Sequence, residues 1–424
     1  MKLNYKRTIL VGFAFFIISA FWQAYDTIVP LILTNKFHMQ QGYSGMIMAL
    51  DNIFAVFLLP IFGNLSDRTT SRFGRRTPYV LFGTLAASVF FVILGHVQSL
   101  TVFIVLLLLC LLSMATYRSP AVALMPDVTV KPLRSKGNAI INLMGTAGGI
   151  IILLFATVFK TSTEGKTDFS AYIYAVVGVM LVGLVVFMLT VKEPKWAKEM
   201  EEETARIGDT EAEERTEVGG KLSRSQLISL LLILASVALW YIGYNAVTSK
   251  YSVYATDVLH VNYATTLLIA QGAAIVAYIP VGMIASRIGR KKTILAGVAM
   301  LTVAFAGAYF VTPGSSPLFM TFFFALAGIA WATINVNSFP MVVELAKGGD
   351  VGKYTGFYYT ASMAAQIVTP VLSGFLMDAF GMRNVLFPYA AIACGLAFLT
   401  MFFVRHGDSR PIAKKGLEAL DADD

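Results

Sequence analysis

Charge is what this chain has least of. Only 14% of its 424 residues are Asp, Glu, Lys or Arg, where soluble domains carry about 25%. Hydrophobic residues make up 57%, and mean hydropathy is +0.69. That much apolar surface cannot be buried in one soluble core, so lipid must cover it. Cysteine is nearly absent. Cys110 and Cys394 each sit inside an apolar run, far apart and without metal-ligand spacing, and read as small core side chains. Histidine is equally sparse: His38, His96, His260 and His406 all fall in loops or at the ends of apolar runs. No nucleophile–base pair, metal cluster or phosphate loop is present, so neither catalysis nor a resident metal or cofactor is expected. The net charge is +8, but the basic residues lie in short loops between apolar runs. There they orient a membrane protein and do not form a nucleic-acid surface. Lys2, Lys6 and Arg7 precede the first apolar run, and no small-residue cleavage site closes it before Asn35, so a retained helix is expected.

A membrane-spanning helix needs about 20 apolar residues. Twelve candidate spans fit, at 8–34, 44–66, 77–96, 99–125, 138–160, 170–191, 226–250, 263–285, 293–311, 317–342, 354–378 and 384–404. They form two sets of six. Residues 192–225, rich in Glu, Lys and Arg, read as a solvated linker with a short surface helix at most. The expected domains are therefore 1–191, a charged cytoplasmic linker at 192–225, and 226–424 with its tail. Most Lys and Arg fall on one side if both termini are cytoplasmic. The other side then holds only Lys36, Lys160, Lys166, Arg383 and, at a span end, Lys250, which is expected to snorkel to the interface. Pro30, Pro60, Pro120, Pro280, Pro340 and Pro370 fall in or near spans, where they free backbone carbonyls. Gly145, Gly148 and Gly149 suggest a close helix contact.

Two loops repeat one pattern half a chain apart. Gly63-Asn-Leu-Ser-Asp67-Arg68 is followed by Gly74-Arg75-Arg76, and Gly282-Met-Ile-Ala-Ser286-Arg287 by Gly289-Arg290-Lys291-Lys292. Both resemble the signature loop of the major facilitator superfamily. The resemblance implies an all-α membrane protein: twelve transmembrane helices in two pseudo-symmetric six-helix bundles, built by duplication. The longer stretch Ser66-Asp67-Arg68-Thr-Thr-Ser71-Arg72-Phe73-Gly74-Arg75-Arg76-Thr77-Pro78-Tyr79 is similar to that of plant sucrose–proton symporters and, more loosely, of glycoside–pentoside–hexuronide:cation symporters. So are Pro120-Ala-Val-Ala-Leu124-Met-Pro126-Asp127 with Arg134, and Gly356 through Gln366 to Pro370 with Gly374. That resemblance implies proton-coupled uptake of a small glycoside, a disaccharide such as sucrose or maltose. The alternatives are a facilitator for a lysolipid or drug-like molecule, and a sensor that binds sugar without moving it.

The chain departs from those relatives at telling positions. The plant symporters carry an arginine where Val122 stands; Arg118, four residues earlier, can share its helix face. Their acidic residue eleven positions before that arginine is here Leu111. Sodium-coupled relatives place two aspartates where this chain has Ala55 and Leu59, which argues for a proton and against a sodium cage.

Ionisable residues within the spans are Asp26, Asp51 and Arg118. A charge at mid-membrane costs about 3 kcal/mol, so such residues face a wet cavity or pair with each other. Asp51, ahead of Asp26, is expected to bind the coupling proton. Arg118 is expected nearer the cytoplasm than either, for a sugar contact or a structural pairing. Candidate sugar contacts are Trp22, Gln23, Tyr25, Arg118, Tyr244, Asn245, Gln271, Trp331, Asn335, Asn337, Tyr358 and Gln366, since sugars need aromatic faces and amides. A cytoplasmic gate is expected from Asp67, Arg68, Arg75, Arg76, Asp127, Arg134, Arg287, Arg290 and Glu344, weaker in the second half, where Ser286 replaces the acid. A monomer in a bacterial cytoplasmic membrane, with lipid and a small sugar as its partners, completes the expectation.

Overall fold

The computed structural model describes residues 3–130, 133–207, 223–343, 345 and 351–407, without the side chains of 135, 136, 207, 279, 286, 343 and 351–353. Among the described residues the protein is all-α. The first half holds α1 (Tyr5–Leu31), α2 (Gln41–Asp67), α3 (Thr77–His96), α4 (Leu100–Asp127), α5 (Arg134–Val158) and α6 (Ser170–Thr190). A charged helix, α7 (Glu193–Ile207), follows. The second half holds α8 (Arg224–Val253), α9 (Tyr263–Ile288), α10 (Arg290–Tyr309), α11 (Pro317–Val343), α12 (Val351–Phe380) and α13 (Met382–Phe402). Each of the twelve expected spans coincides with one of these helices to within a few residues. Eleven helical stretches are long and apolar enough to cross a membrane, and Tyr263–Tyr278 of α9 adds a shorter apolar one.

Polar residues between the spans start the helices. Asn4 accepts from Arg7 N at 3.1 Å to begin α1. Ser223 and Gln226 exchange hydrogen bonds of 3.3 and 3.1 Å to begin α8, and Asn262 accepts from Ala264 N at 2.9 Å to begin α9. Gly289 and Gly381, at φ 94° and 85°, turn the chain between α9 and α10 and between α12 and α13. Prolines lie inside α1, α2, α4, α9, α11, α12 and α13. Pro30 has no N–H for the Asp26 carbonyl, and Pro370 none for that of Gln366, so two candidate site residues sit where the backbone ladder is interrupted.

The chain divides into two compact units: Met1–His38 with Leu50–Asp209, and Met39–Ala49 with Thr210–Asp424. In the first, α1 packs on α5 and α6, and α3 on α4 and α6. In the second, α8 packs on α12 and α13, and α10 on α11 and α13. Counting helices within each half, these are the same pairings, so the repeat seen in the two loops is also a repeat of packing. Close approach of α1 and α5 rests on glycine: a Cβ at Gly145 would lie 2.8 Å from Ser19 Oγ, and one at Gly148 would overlap the Phe16 carbonyl.

Helix α7 is anchored to the first unit. Arg7 of α1 meets Glu199 at 3.3 Å, donates to the Trp196 carbonyl, and lies 5.1 Å from the Trp196 ring.

Candidate functional site

In the first unit three helices bring together the ionisable residues of the spans. Asp26 on α1, Asp51 on α2 and Arg118 on α4 are all half-buried and within electrostatic reach of one another. Arg118 thus shares the aspartates' site, the arrangement that a structural pairing, one of its two expected roles, requires. Its guanidinium lies 5.5 Å from the Trp22 ring, a cation–π distance. Among the described residues no carboxylate comes within 4.0 Å of it. Asp51 is oriented by its neighbour, since Asn52 donates to its Oδ1 from the backbone N (2.6 Å) and from Nδ2 (2.8 Å). Trp22 stands edge-on to Phe21 and Tyr25, each at 5.3 Å. Tyr25 is fully buried, and neither its hydroxyl nor the Trp22 indole N–H has a hydrogen-bond partner among the described residues. Gln23 is half-buried beside them.

Trp22, Asp51 and Arg118 line one narrow space with Phe54, Ala55, Leu59, Leu111 and Ala115. Ala55, Leu59 and Leu111 thus face the same space with apolar side chains. Two carboxylates and one guanidinium carry a net charge of −1 when all are ionised.

The second unit holds no such charge cluster among its described interior residues; it holds aromatic faces and amides. Tyr244 of α8 stacks on Trp331 of α11, with centroids 3.7 Å apart and planes at 7°. Tyr241 meets the same indole edge-on at 5.2 Å. The amides share one habit. Asn245 Nδ2 donates to the Tyr241 carbonyl (2.8 Å), Asn337 Nδ2 to that of Thr333 (3.0 Å), and Gln366 Nε2 to that of Ser362 (3.3 Å). Each N–H is tied one turn back along its own helix, so the carbonyl end is left to accept. Asn337 is fully buried and its Oδ1 has no partner among the described residues. Tyr358 is buried and shares a 3.0 Å hydrogen bond with Ser338. Asn335 and Gln271 are half-buried, on α11 and α9.

At the Asp67 loop the expected charges assemble. Arg76, 4% exposed, contacts Asp67 and the Ser66 hydroxyl, and its Nε donates to Asp127 at 2.8 Å. Burial works against its charge, but Asp127 and Asp67 leave its pKa raised. Arg75 holds Asp127 from the exposed side, at 2.8 and 3.1 Å. Arg134 donates to the Thr129 and Pro126 carbonyls, both at 3.2 Å, and so fixes the chain after α4. Arg68 is exposed. In the second half Arg287 is exposed, Arg290 is half-buried, and Lys291 donates to the Phe402 and Val404 carbonyls at 2.9 and 2.6 Å. Glu344 lies outside the described residues.

Two residues escaped the sequence reading and a third was misplaced by it. Asn52 stands next to a residue that was singled out. Glu193, hidden in the charged linker, is 2% exposed and accepts from Arg75 N (2.7 Å), Arg76 N (2.9 Å), Thr77 N (2.8 Å) and Thr77 Oγ1 (2.7 Å). It is the carboxylate that caps α3. Lys250 does not snorkel: it is fully buried and bonded to Gln41. The signal for Glu193 was its place directly after the sixth span; the signal for Lys250 was a lone cation inside an apolar run.

The sequence profile of the Major Facilitator Superfamily matches residues 11–314 and 264–421, and the chain belongs to that superfamily. It is therefore a multi-span membrane transporter with the major facilitator fold. It is 22% identical over 401 residues to an uncharacterised MFS-type transporter of Methanocaldococcus jannaschii, covering 94% of this chain and 95% of the other. Two shorter matches reach a sucrose transport protein of Arabidopsis thaliana and a multi-drug resistance efflux pump of Streptococcus pneumoniae. The first is 33% identical over 55 residues (13% of this chain, 11% of that one), the second 27% over 135 residues (32% of each). Among solved structures, a mutant of the nucleoside transporter NupG aligns at TM-score 0.68 with 14% identity, over 93% of this chain and 99% of that one.

Proposed function

We propose that this transporter is a proton-coupled symporter for a small glycoside, a disaccharide such as sucrose or maltose, working by alternating access between its two halves. The observation that carries the reading is the Asp26–Asp51–Arg118 cluster, lined by apolar Ala55, Leu59 and Leu111. Two carboxylates compete for one guanidinium. The one left without it favours its protonated form in a partly dry site and releases the proton when the site is wetted or when Arg118 turns to it. Opening to either side of the membrane changes those surroundings, which couples protonation to the conformational step. Trp22, Tyr244 and Trp331 offer flat faces for a sugar ring, and the back-bonded amides offer carbonyls for its hydroxyls. The motif resemblance at residues 66–79, 120–134 and 356–374 and the short match to a sucrose transport protein support the sugar assignment. The cell membrane, with both termini cytoplasmic, is the location that the Lys and Arg distribution supports.

The test is external pH in lightly buffered, energy-depleted cells as each of a panel of disaccharides is added. Transient alkalinisation with one sugar, absent in control cells, establishes proton symport and names a substrate. Equilibration of labelled sugar without a pH change points to uniport or another ion. Neither signal favours the second reading, a facilitator of flat apolar compounds. The Tyr241–Trp331–Tyr244 stack and the partial match to a drug pump speak for that reading.

A further inference from the structure

Beside the first residues of the chain lies a recess that the transport scheme leaves unused. The starts of α1 and α7 and the end of α6 surround about 380 Å³. Small-ligand sites occupy about 300–1,000 Å³. Four cations line it: Lys6 and Arg7 of α1, Lys192 between α6 and α7, and Lys195 of α7. Glu199 is the one carboxylate lining it among the described residues. Glu203, a turn further along α7, reaches Arg7 electrostatically but does not line the recess.

The recess sits where the spans leave the hydrocarbon. Ile9 of α1 and Leu189 of α6 are 42% and 76% exposed. On a helix that crosses a bilayer, such faces meet acyl chains. Three residues further out on each segment stands an exposed lysine, Lys6 and Lys192. Lipid-facing side chains thus give way to cations at the depth of the headgroups. Half-buried Trp196 walls the recess, in keeping with the preference of tryptophan for the membrane interface.

Glu199 shows what this recess recognises. Its two oxygens meet two of the cations, Oε2 with Arg7 at 3.3 Å and Oε1 with Lys195 at 3.8 Å. Arg7 is also fixed to the Trp196 carbonyl and ring, so its place is set before any ligand arrives. Its buried Nε–H has no partner among the described residues. Lys6 and Lys192 have no carboxylate within 4.0 Å among the described residues. One carboxylate does not answer four cations. A neutral sugar would leave the excess charge unmet, and a soluble anion would leave Ile9 and Leu189 uncovered. A phosphate carried on acyl chains meets both needs.

We propose that this recess binds the phosphate headgroup of an anionic phospholipid from the adjoining leaflet. One phosphate does not exhaust the excess charge, so a lipid with two should bind more tightly than a lipid with one. The site needs neither sugar nor proton and stands apart from the symport reading.

The test is native mass spectrometry of the full chain in a neutral detergent, which counts the lipids bound to each protein during a titration. The probes are dioleoyl phosphatidylglycerol, tetraoleoyl cardiolipin, dioleoyl phosphatidylcholine and inorganic phosphate. One phosphatidylglycerol should bind about tenfold more tightly than phosphatidylcholine, and cardiolipin more tightly still. Lys6→Gln with Lys192→Gln should weaken phosphatidylglycerol about 25-fold, or about fivefold for each lysine near a headgroup. Arg224→Gln with Lys292→Gln, in the second unit, should weaken it less than about twofold. All four side chains are exposed, which keeps the fold out of the comparison. Equal losses in the two double variants would reduce the site to general surface charge and overturn it. Indifference to lipid charge would overturn it too. Saturation by inorganic phosphate, without a preference for phosphatidylglycerol, would assign the recess to a soluble phosphate and overturn the lipid.

Discussion

Arg76 in the first half is gripped by two carboxylates and a hydroxyl, while Lys291 in the second half donates to two backbone carbonyls. The helices that follow the two loops differ in the same way. Four donors at the start of α3 converge on Glu193, whereas α10 starts at Gly289 with no side-chain cap from that residue. The interiors divide likewise: Asp26, Asp51 and Arg118 in one unit, stacked aromatics and back-bonded amides in the other. A duplicated fold has kept its helix packing and separated its chemistry. Packing constrains every residue along a helix face, whereas charge is constrained only where something must be recognised or braced.

The sharpest way to break the comparison is to remove Arg76. Arg76→Ala leaves Asp127, half-buried, with Arg75 as its remaining partner, and should cost about 2–3 kcal/mol. Thermal unfolding in detergent would show it, and a loss under about 1 kcal/mol would mean that the brace is ornamental. Next come the interior carboxylates. Asp26→Asn with Asp51→Asn should lower proton-driven accumulation by about 100-fold while leaving exchange of sugar across the membrane intact. Full accumulation in the double variant would end the coupling role of the first unit. Glu193→Gln removes one charged acceptor from the start of α3 and should cost about 2 kcal/mol, read by the same melting experiment.

The amide and aromatic side should respond differently. Trp331→Ala should weaken sugar binding about tenfold without changing the number of protons moved per sugar. A change in stoichiometry would mean that the two units do not divide the work. The smallest effect belongs to Lys291→Met, at about 1 kcal/mol or less, because carbonyls at a helix end are readily taken over by water. A loss as large as that of Arg76→Ala would erase the asymmetry between the loops.

Much of this was legible in the chain. The twelve spans follow from hydropathy alone, because a helix is the structure that satisfies every backbone group within one apolar segment. The two loops announced the duplication, and the three ionisable residues of the spans were singled out because charge in hydrocarbon is costly. Depth along a helix left two roles open for Arg118, and a pairing with the aspartates was one of them. Counting residues places a Cα, but a long side chain reaches several ångströms along the bundle and helices tilt. Lys250 misled for the same reason in reverse: a cation near a span end has an easy route to the interface unless another helix covers it.

By itself, then, the sequence determined the number of spans, the repeat, and which residue types were too expensive to be idle, since all three depend on the local balance between apolar burial and backbone satisfaction. Only the tertiary structure decided the partners. It brought Arg118 within electrostatic reach of Asp26 and Asp51 across three helices, brought Glu193 from the linker to the start of α3, and set Lys250 against Gln41, 209 residues away in sequence. Hydrogen bonds and ion pairs act over a few ångströms. Which groups come that close is fixed by helix packing, where a single glycine decides whether two backbones meet.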